Sequence, residues 1–172
     1  FGRIGQLISK RLAPFGPEQL VLEPNPVVKP AEVSKVFRVE QLGEFLSRAK
    51  ALLCALPLTP QTRGLLSEKE FQAMPVGSWL INISRGEIID EEALVAALRS
   101  GRLAGAGLDV TDVEPCPPES PLWDEPNVLL TPHNAGISAD VHLRKGRWFM
   151  ENLGRYLDGK PLLGQVDKKR GW

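Results

Sequence analysis

Three short stretches of the chain each carry a reactive side chain just after an apolar run. The stretches are residues 82–86, 107–115 and 131–136. Their reactive side chains are those of Arg85, Glu114 and His133. A guanidinium can hold a carboxylate, a protonated imidazole can donate a proton to a carbonyl oxygen, and a carboxylate can orient and charge that imidazole. Together, these residue types predict the reduction of a 2-oxo acid.

Each of these three residues, taken alone, has a structural alternative. Arg85 beside Gly86 could equally be a surface arginine, and Glu114 has other acids close to it in the sequence. His133 is one of two histidines, and a lone histidine is more often structural than catalytic. Its place after a buried run favours a catalytic role, whereas His142, in the last predicted helix, is assigned no chemistry.

The first five residues, Phe-Gly-Arg-Ile-Gly, are typical of a dinucleotide-binding loop that lacks its first glycine. Gly2 would let the backbone approach a pyrophosphate, and Gly5 would let the following helix pack close to a sheet. The alternative is a glycine-rich turn before an ordinary helix. Glu23 follows the next apolar run, where an acid can accept hydrogen bonds from an adenosine ribose. Its alternative is a solvated loop acid.

Apolar runs alternate with helical patterns along the chain. The predicted strands are Leu20–Leu22 and residues 36–39, 51–56, 79–83, 103–110 and 128–131. The predicted helices are Arg3–Leu12 and residues 40–49, 68–74, 90–100 and 139–157. The five prolines within residues 111–126 indicate a long loop. Residues 159–172 are predicted to form an extended tail. This alternation predicts an α/β fold with a doubly wound parallel, Rossmann-like sheet.

Ligands of such sheets bind beyond the carboxyl ends of the strands. Glu23, Leu56, Arg85, Asp109 and His133 each follow a predicted strand. We therefore expect these five residues to line one wall of a single crevice.

The composition excludes several other classes of function. The 172 residues are 42% hydrophobic and 24% charged with a formal net charge of zero, which argues against nucleic acid as the main partner. The short basic run 168–170 does not change this. No apolar run is long enough to span a membrane. The separated Cys54 and Cys116 indicate a cytoplasmic protein without disulfides, and no metal ligand cluster is present.

Several motifs together resemble the D-isomer-specific 2-hydroxyacid dehydrogenases. They are the sequences of residues 56–64, 80–86, 107–110, 114–115 and 132–133. Residues 119–123 and 164–172 resemble more narrowly the glyoxylate/hydroxypyruvate reductase A subgroup. The resemblance covers nearly the whole chain.

The resemblance implies a nicotinamide-dependent reductase of glyoxylate or hydroxypyruvate that forms a homodimer. Residues 1–138 would be the dinucleotide-binding domain without its first strand, and residues 139–172 the crossing helix and the return to the substrate domain. Since the chain lacks an initiator methionine and begins inside a motif, we expect an N-terminally truncated fragment. The family's catalytic residues fall on Arg85, Glu114 and His133. The implied cofactor-binding residues, with the loop glycines, are Gly2, Arg3, Ile4, Gly5, Glu23, Leu56, Pro57, Ile83, Ser84, Arg85, Asp109, His133, Ala135 and Gly136.

Two features depart from the pattern of these relatives. The histidine motif has alanine two residues after His133, where many members have glycine. The reductase A subgroup carries basic residues after the second strand and tends to use NADPH. This chain has Glu23 at that place instead. The basic residue that we expect nearest to Glu23 is Lys29. We therefore expect NADH to be preferred, with NADP possible. Two other interpretations are a corepressor-like protein that senses a dinucleotide and a fragment with no activity of its own.

Overall fold

A computed structural model describes residues 1–168 of the chain and divides it into two compact units. The first unit is Phe1–His133, and the second begins at Asn134. The first unit contains helices α1 (Arg3–Leu12), α2 (Leu42–Ser47), α3 (Glu68–Ala73) and α4 (Glu91–Arg99). Its strands are β1 (Leu20–Leu22), β2 (Lys35–Phe37), β3 (Ala51–Cys54), β4 (Ser78–Asn82), β5 (Leu103–Leu108) and β6 (Val128–Leu130). The second unit contains helix α5 (Val141–Leu157).

The strands of the first unit form two parallel sheets. β1 pairs with β2, and the four-stranded sheet has the order β3-β4-β5-β6. Because consecutive parallel strands need crossover connections, the intervening helices α3 and α4 are what the alternating pattern requires. The predicted parallel, Rossmann-like α/β fold is confirmed. The carboxyl ends of β3 to β6 therefore lie along one edge of their sheet.

The hydrophobic core lies between the four-stranded sheet and its helices. Leu80 of β4 and Leu103 of β5 are fully buried, and Phe71 of α3 and Leu94 of α4 belong to the same cluster. Helix α4 begins at Glu91, one residue after its predicted start, and Asp90 caps it: the Asp90 carboxylate accepts a hydrogen bond from Ala93 N at 3.1 Å. This packing fixes the strand ends from which the candidate site residues emerge.

Several predicted boundaries are wrong by one or two residues. β3 ends at Cys54 instead of residue 56, where its pairing with β4 stops. β5 ends at Leu108 instead of residue 110, although Asp109 N still donates to Asn82 O at 2.9 Å. The helix expected over residues 40–49 is instead a 3₁₀ turn, Val39–Gln41, followed by α2.

Smaller shifts occur in β2, β4, β6, α3 and α4, whose bounds differ from the predicted ones by one or two residues. Helix α5 begins at Val141 rather than at residue 139.

The second unit consists of α5 and the segment that follows it. The Asn152 side chain accepts from Leu163 N at 2.7 Å and donates to Leu163 O at 3.3 Å. Arg155 Nε donates to Pro161 O at 2.7 Å. Residues 160–163 are therefore held to the helix, whereas the last four residues of the predicted tail lie outside the described residues. The division into domains at residue 138 stays a prediction.

Within residues 1–168, no helix is long and apolar enough to cross a membrane.

Candidate active site

His133 and Glu114 lie side by side beyond the ends of β6 and β5. The His133 Nδ1 and the Glu114 Oε2 are 2.7 Å apart, and both side chains are partly exposed, at 49% and 37%. The long loop after β5 carries Glu114 back towards the strand ends, and Thr111 N donates to the other carboxylate oxygen at 3.4 Å. An imidazole in contact with a carboxylate through Nδ1 leaves Nε2 available to a substrate.

The backbone of His133 is held in an uncommon conformation. Its φ is 49°, in the left-handed region that few residues other than glycine adopt. The His133 N–H donates to Asp109 O at 2.9 Å and to Thr131 O at 3.0 Å. These two bonds offset the cost of the conformation, which is on the order of 1–3 kcal/mol. The turn therefore fixes the direction in which the imidazole projects.

Asp109 lies directly below this turn, at the end of β5. It is 6% exposed, and its Oδ1 accepts a 2.6 Å hydrogen bond from the Thr131 hydroxyl. Such a hydrogen bond helps to offset the loss of hydration that burial imposes on a carboxylate. Asp109 is thereby held beside the base of the turn that carries His133.

A pocket of about 670 Å³ opens beside this pair. Its lining includes Asp109, Thr111, Glu114, Trp123, Thr131 and His133. A volume in this range suits a small molecule.

The turn that carries Arg85 is organised by Asn82, the last residue of β4. Asn82 is fully buried, and its Nδ2 donates to Arg85 O at 2.9 Å. Its Oδ1 accepts from the Ser84 N–H at 3.0 Å and from the Ser84 hydroxyl at 2.6 Å. Asn82 is not among the site residues predicted from the sequence. A polar residue at the end of an apolar strand could have indicated its role in the turn.

The Arg85 side chain lies apart from the pocket in this structure. Its Nη1 donates to Ser84 O at 2.6 Å, and the residue is exposed. The structure thus brings together Glu114, His133 and Asp109 but does not place the Arg85 guanidinium against them.

Most of the residues expected to bind a dinucleotide belong to the first unit, at the start of α1, at the end of β1 and in the loops after β3 and β4. Gly2, Arg3, Ile4 and Gly5 lie at the start of α1. A Cβ added to Gly2 would meet no protein atom within 4 Å, so packing within the chain does not require glycine there. Close approach of a pyrophosphate to the helix N-terminus would require it, and the residues therefore fit that group.

Glu23, at the end of β1, is buried and already engaged. Its Oε1 accepts from the main-chain and side-chain nitrogens of Asn25 at 2.9 and 3.0 Å, and its Oε2 contacts the Phe1 amino group. A carboxylate offers about four acceptor positions, so it can still accept from a ribose hydroxyl.

The other expected cofactor residues occupy loops at the strand ends. Leu56 and Pro57 follow β3, and Ile83 and Ser84 belong to the turn after β4. Ala135 and Gly136 follow His133 in the chain, at the start of the second unit. Since Glu23 belongs to the separate β1–β2 pair, the expectation of one common crevice for all five residues stays a prediction.

The expectation that Lys29 is the base nearest to Glu23 is wrong. The Lys29 ammonium donates to Val33 O at 2.6 Å, whereas the Arg38 guanidinium donates to the carbonyl oxygens of Glu23 and Pro24 at 3.5 and 3.1 Å. The reason is the parallel pairing of β1 with β2, which places the residues after both strands side by side. In the described part of the chain, no group of three or more histidine, cysteine, aspartate or glutamate residues could hold a metal ion.

Comparisons with protein families and with solved structures identify the same family of proteins. Residues 1–135 match the family described as D-isomer specific 2-hydroxyacid dehydrogenase, NAD binding domain. The structure is similar to a D-isomer specific 2-hydroxyacid dehydrogenase from Xanthobacter autotrophicus in complex with NADPH and MES. The match covers 99% of this chain, with 40% sequence identity and a TM-score of 0.92. The chain spans 69% of that protein.

Two other solved structures have more specific names. An NADPH-dependent glyoxylate/hydroxypyruvate reductase from Sinorhizobium meliloti is 34% identical over the whole chain, with a TM-score of 0.92. A D-mandelate dehydrogenase from Rhodotorula graminis is 33% identical over 98% of the chain, with a TM-score of 0.88. The chain spans 55% and 49% of these two proteins, which is about half of each.

Proposed function

The chain belongs to the D-isomer specific 2-hydroxyacid dehydrogenase family, and from this premise we propose that the full-length protein reduces a small 2-oxo acid with NAD(P)H. The observation that carries this proposal is the 2.7 Å contact between His133 and Glu114, which line a pocket together with Asp109. This arrangement supplies a proton donor and its orienting carboxylate at a strand end where a nicotinamide would lie.

The proton transfer is the task of His133. Hydride transfer from a bound dinucleotide to the 2-oxo carbon would place negative charge on the carbonyl oxygen, which would then need a proton. His133 donates that proton from Nε2, because its Nδ1 faces Glu114. Glu114 keeps the ring in this orientation through the contact with Nδ1. Asp109, which accepts a hydrogen bond from Thr131, would position the nicotinamide carboxamide.

Arg85 binds the carboxylate of the substrate. For this, its guanidinium must leave Ser84 O and turn towards the pocket, while its backbone stays anchored to Asn82. A planar guanidinium can hold a carboxylate with two parallel bonds, and its charge polarises the neighbouring carbonyl.

Glyoxylate or hydroxypyruvate is the proposed substrate. The name of the Sinorhizobium relative supports this choice, together with the sequence resemblance of residues 119–123 and 164–172. The Rhodotorula relative is named a D-mandelate dehydrogenase, so phenylglyoxylate, a bulkier aromatic 2-oxo acid, serves as the comparison substrate. We further propose that the full-length protein is a cytoplasmic homodimer.

The test is a comparison of rates for the purified full-length protein. Glyoxylate, hydroxypyruvate, pyruvate and phenylglyoxylate are each supplied with NADH or NADPH, and cofactor oxidation is followed. Turnover of glyoxylate or hydroxypyruvate with the highest kcat/KM supports the proposal. Tight dinucleotide binding without turnover of any 2-oxo acid would instead favour the dinucleotide-sensing interpretation.

The chain of residues 1–172 is proposed to be inactive alone. The family fold forms its cleft between two domains, and one wall without the other admits water and cannot align hydride donor and acceptor. Sustained oxidation of NADH with glyoxylate by the purified chain would contradict this.

A further inference from the structure

Arg38 and Glu23 leave neighbouring strands at the same level. In the parallel β1–β2 pair, Leu22 lies opposite Phe37, and Glu23 N donates to Phe37 O at 3.0 Å. The residues that follow the paired positions are Glu23 and Arg38. The Arg38 side chain then reaches back over the β1 end, where Nη1 donates to Glu23 O at 3.5 Å and to Pro24 O at 3.1 Å.

The guanidinium of Arg38 has unused capacity to bind an anion. The residue is exposed, and it forms no ion pair with a carboxylate of residues 1–168. Both of its side-chain hydrogen bonds use Nη1, so within those residues Nε and Nη2 have no acceptor. These two nitrogens belong to a planar fork that matches the geometry of a phosphate.

The position of the Arg38 guanidinium matters because the adenosine ribose of a dinucleotide would bind at the end of β1. In a Rossmann-like domain, the acid at this strand end meets the adenosine ribose, and the 2′-phosphate of NADP would lie beside it. Glu23 disfavours that phosphate by like charge. Lys29 is committed to Val33 O, so Arg38 is the base placed over this strand end.

We propose that Arg38 is a specificity-determining residue that binds the 2′-phosphate of NADP and offsets the repulsion from Glu23. This inference rests on the dinucleotide site of the proposed function. It makes NADPH a usable cofactor for a chain whose acidic β1 end would otherwise reject it. The carbonyl oxygens of Glu23 and Pro24 orient the guanidinium for this contact before the cofactor binds.

The experiment measures the dissociation constants of NADH and NADPH for the full-length protein by fluorescence titration, without substrate. Arg38→Gln removes the charge but keeps N–H groups that can donate to the two carbonyl oxygens. Arg11→Gln is the matched control, because Arg11 is also exposed and its Nη1 donates to Leu7 O at 3.1 Å. Arg38→Lys keeps the charge and loses the fork.

The expected result is selective for NADPH. Arg38→Gln should raise the Kd for NADPH roughly tenfold, the usual effect of losing one charge-assisted contact, and leave that for NADH within about twofold. Arg38→Lys should lie between wild type and Arg38→Gln, and Arg11→Gln should match wild type.

Two results would overturn the inference. Equal weakening of both cofactors would mean that Arg38 only supports the backbone of the β1 end, and unchanged constants would mean that it does not meet the phosphate. If the wild-type protein bound neither dinucleotide, the proposed function itself would fail, which is a distinct outcome.

Discussion

Gly86 lies so close to the main chain of Thr111 that a Cβ on Gly86 would overlap the Thr111 carbonyl group. Gly86 follows Arg85, and Thr111 lies in the loop after β5 that carries Glu114. The turn after β4 and the loop after β5 are therefore packed backbone against backbone. This contact couples the positions of two of the proposed catalytic residues.

Gly86→Ala should destabilise the full-length protein by about 1–3 kcal/mol, the usual cost of overpacking a tight site. It should also lower turnover, since the Arg85 turn and the Glu114 loop must separate. Urea unfolding and steady-state rates measure the two effects. Gly43→Ala is the control, because a Cβ on Gly43 in α2 meets nothing within 4 Å. Equal stability of the two variants would show that the contact is not tight.

The two cysteines should differ sharply in reactivity. Burial raises the pKa of the Cys54 thiol to about 12, so at about pH 8 it stays protonated and unreactive. Cys116 is partly exposed and lines the pocket. A thiol-specific reagent followed by peptide mass spectrometry should label Cys116 in the native protein and both cysteines after denaturation. Rapid labelling of native Cys54 would show that its thiol is not buried.

The acidic end of β1 should favour NADH over NADPH in the full-length enzyme. At an effective dielectric constant near 20, two like charges about 4 Å apart cost on the order of 4 kcal/mol. A third of that energy corresponds to a roughly tenfold higher kcat/KM with NADH than with NADPH. Glu23→Ser combined with Asn25→Lys should shift the preference towards NADPH. Comparable or better kcat/KM with NADPH in the unmodified enzyme would mean that Arg38, not Glu23, decides the choice.

Glu114→Gln should lower kcat for the reduction by roughly tenfold or more. A neutral amide can still bond the ring, but this bond is weaker than one to a carboxylate, so the imidazole is oriented less firmly. Steady-state kcat and KM measure this. Glu119→Gln, in the same loop and exposed, is the matched control. A kcat that Glu114→Gln leaves unchanged would remove Glu114 from the proton-donating pair.

The sequence predicts the order of strands and helices well, because apolar periodicity and caps such as Asp90 are local signals. It also identifies Glu114 and His133, which follow the apolar runs of β5 and β6 and whose Oε2 and Nδ1 atoms lie 2.7 Å apart. It does not identify Arg38, since the proximity of that residue to Glu23 arises only from the β1–β2 register. The buried bonds of Asn82 and the close contact of Gly86 with Thr111 likewise depend on tertiary packing.

The most direct test of the proposed chemistry compares His133→Ala with wild type in the full-length protein, with His142→Ala on α5 as the control. Loss of a positioned proton donor should lower kcat for the 2-oxo acid by roughly 10²–10⁴-fold. The Kd for NADH should stay near the wild-type value, because the imidazole acts on the carbonyl oxygen of the substrate. Near-normal turnover by His133→Ala would contradict the account.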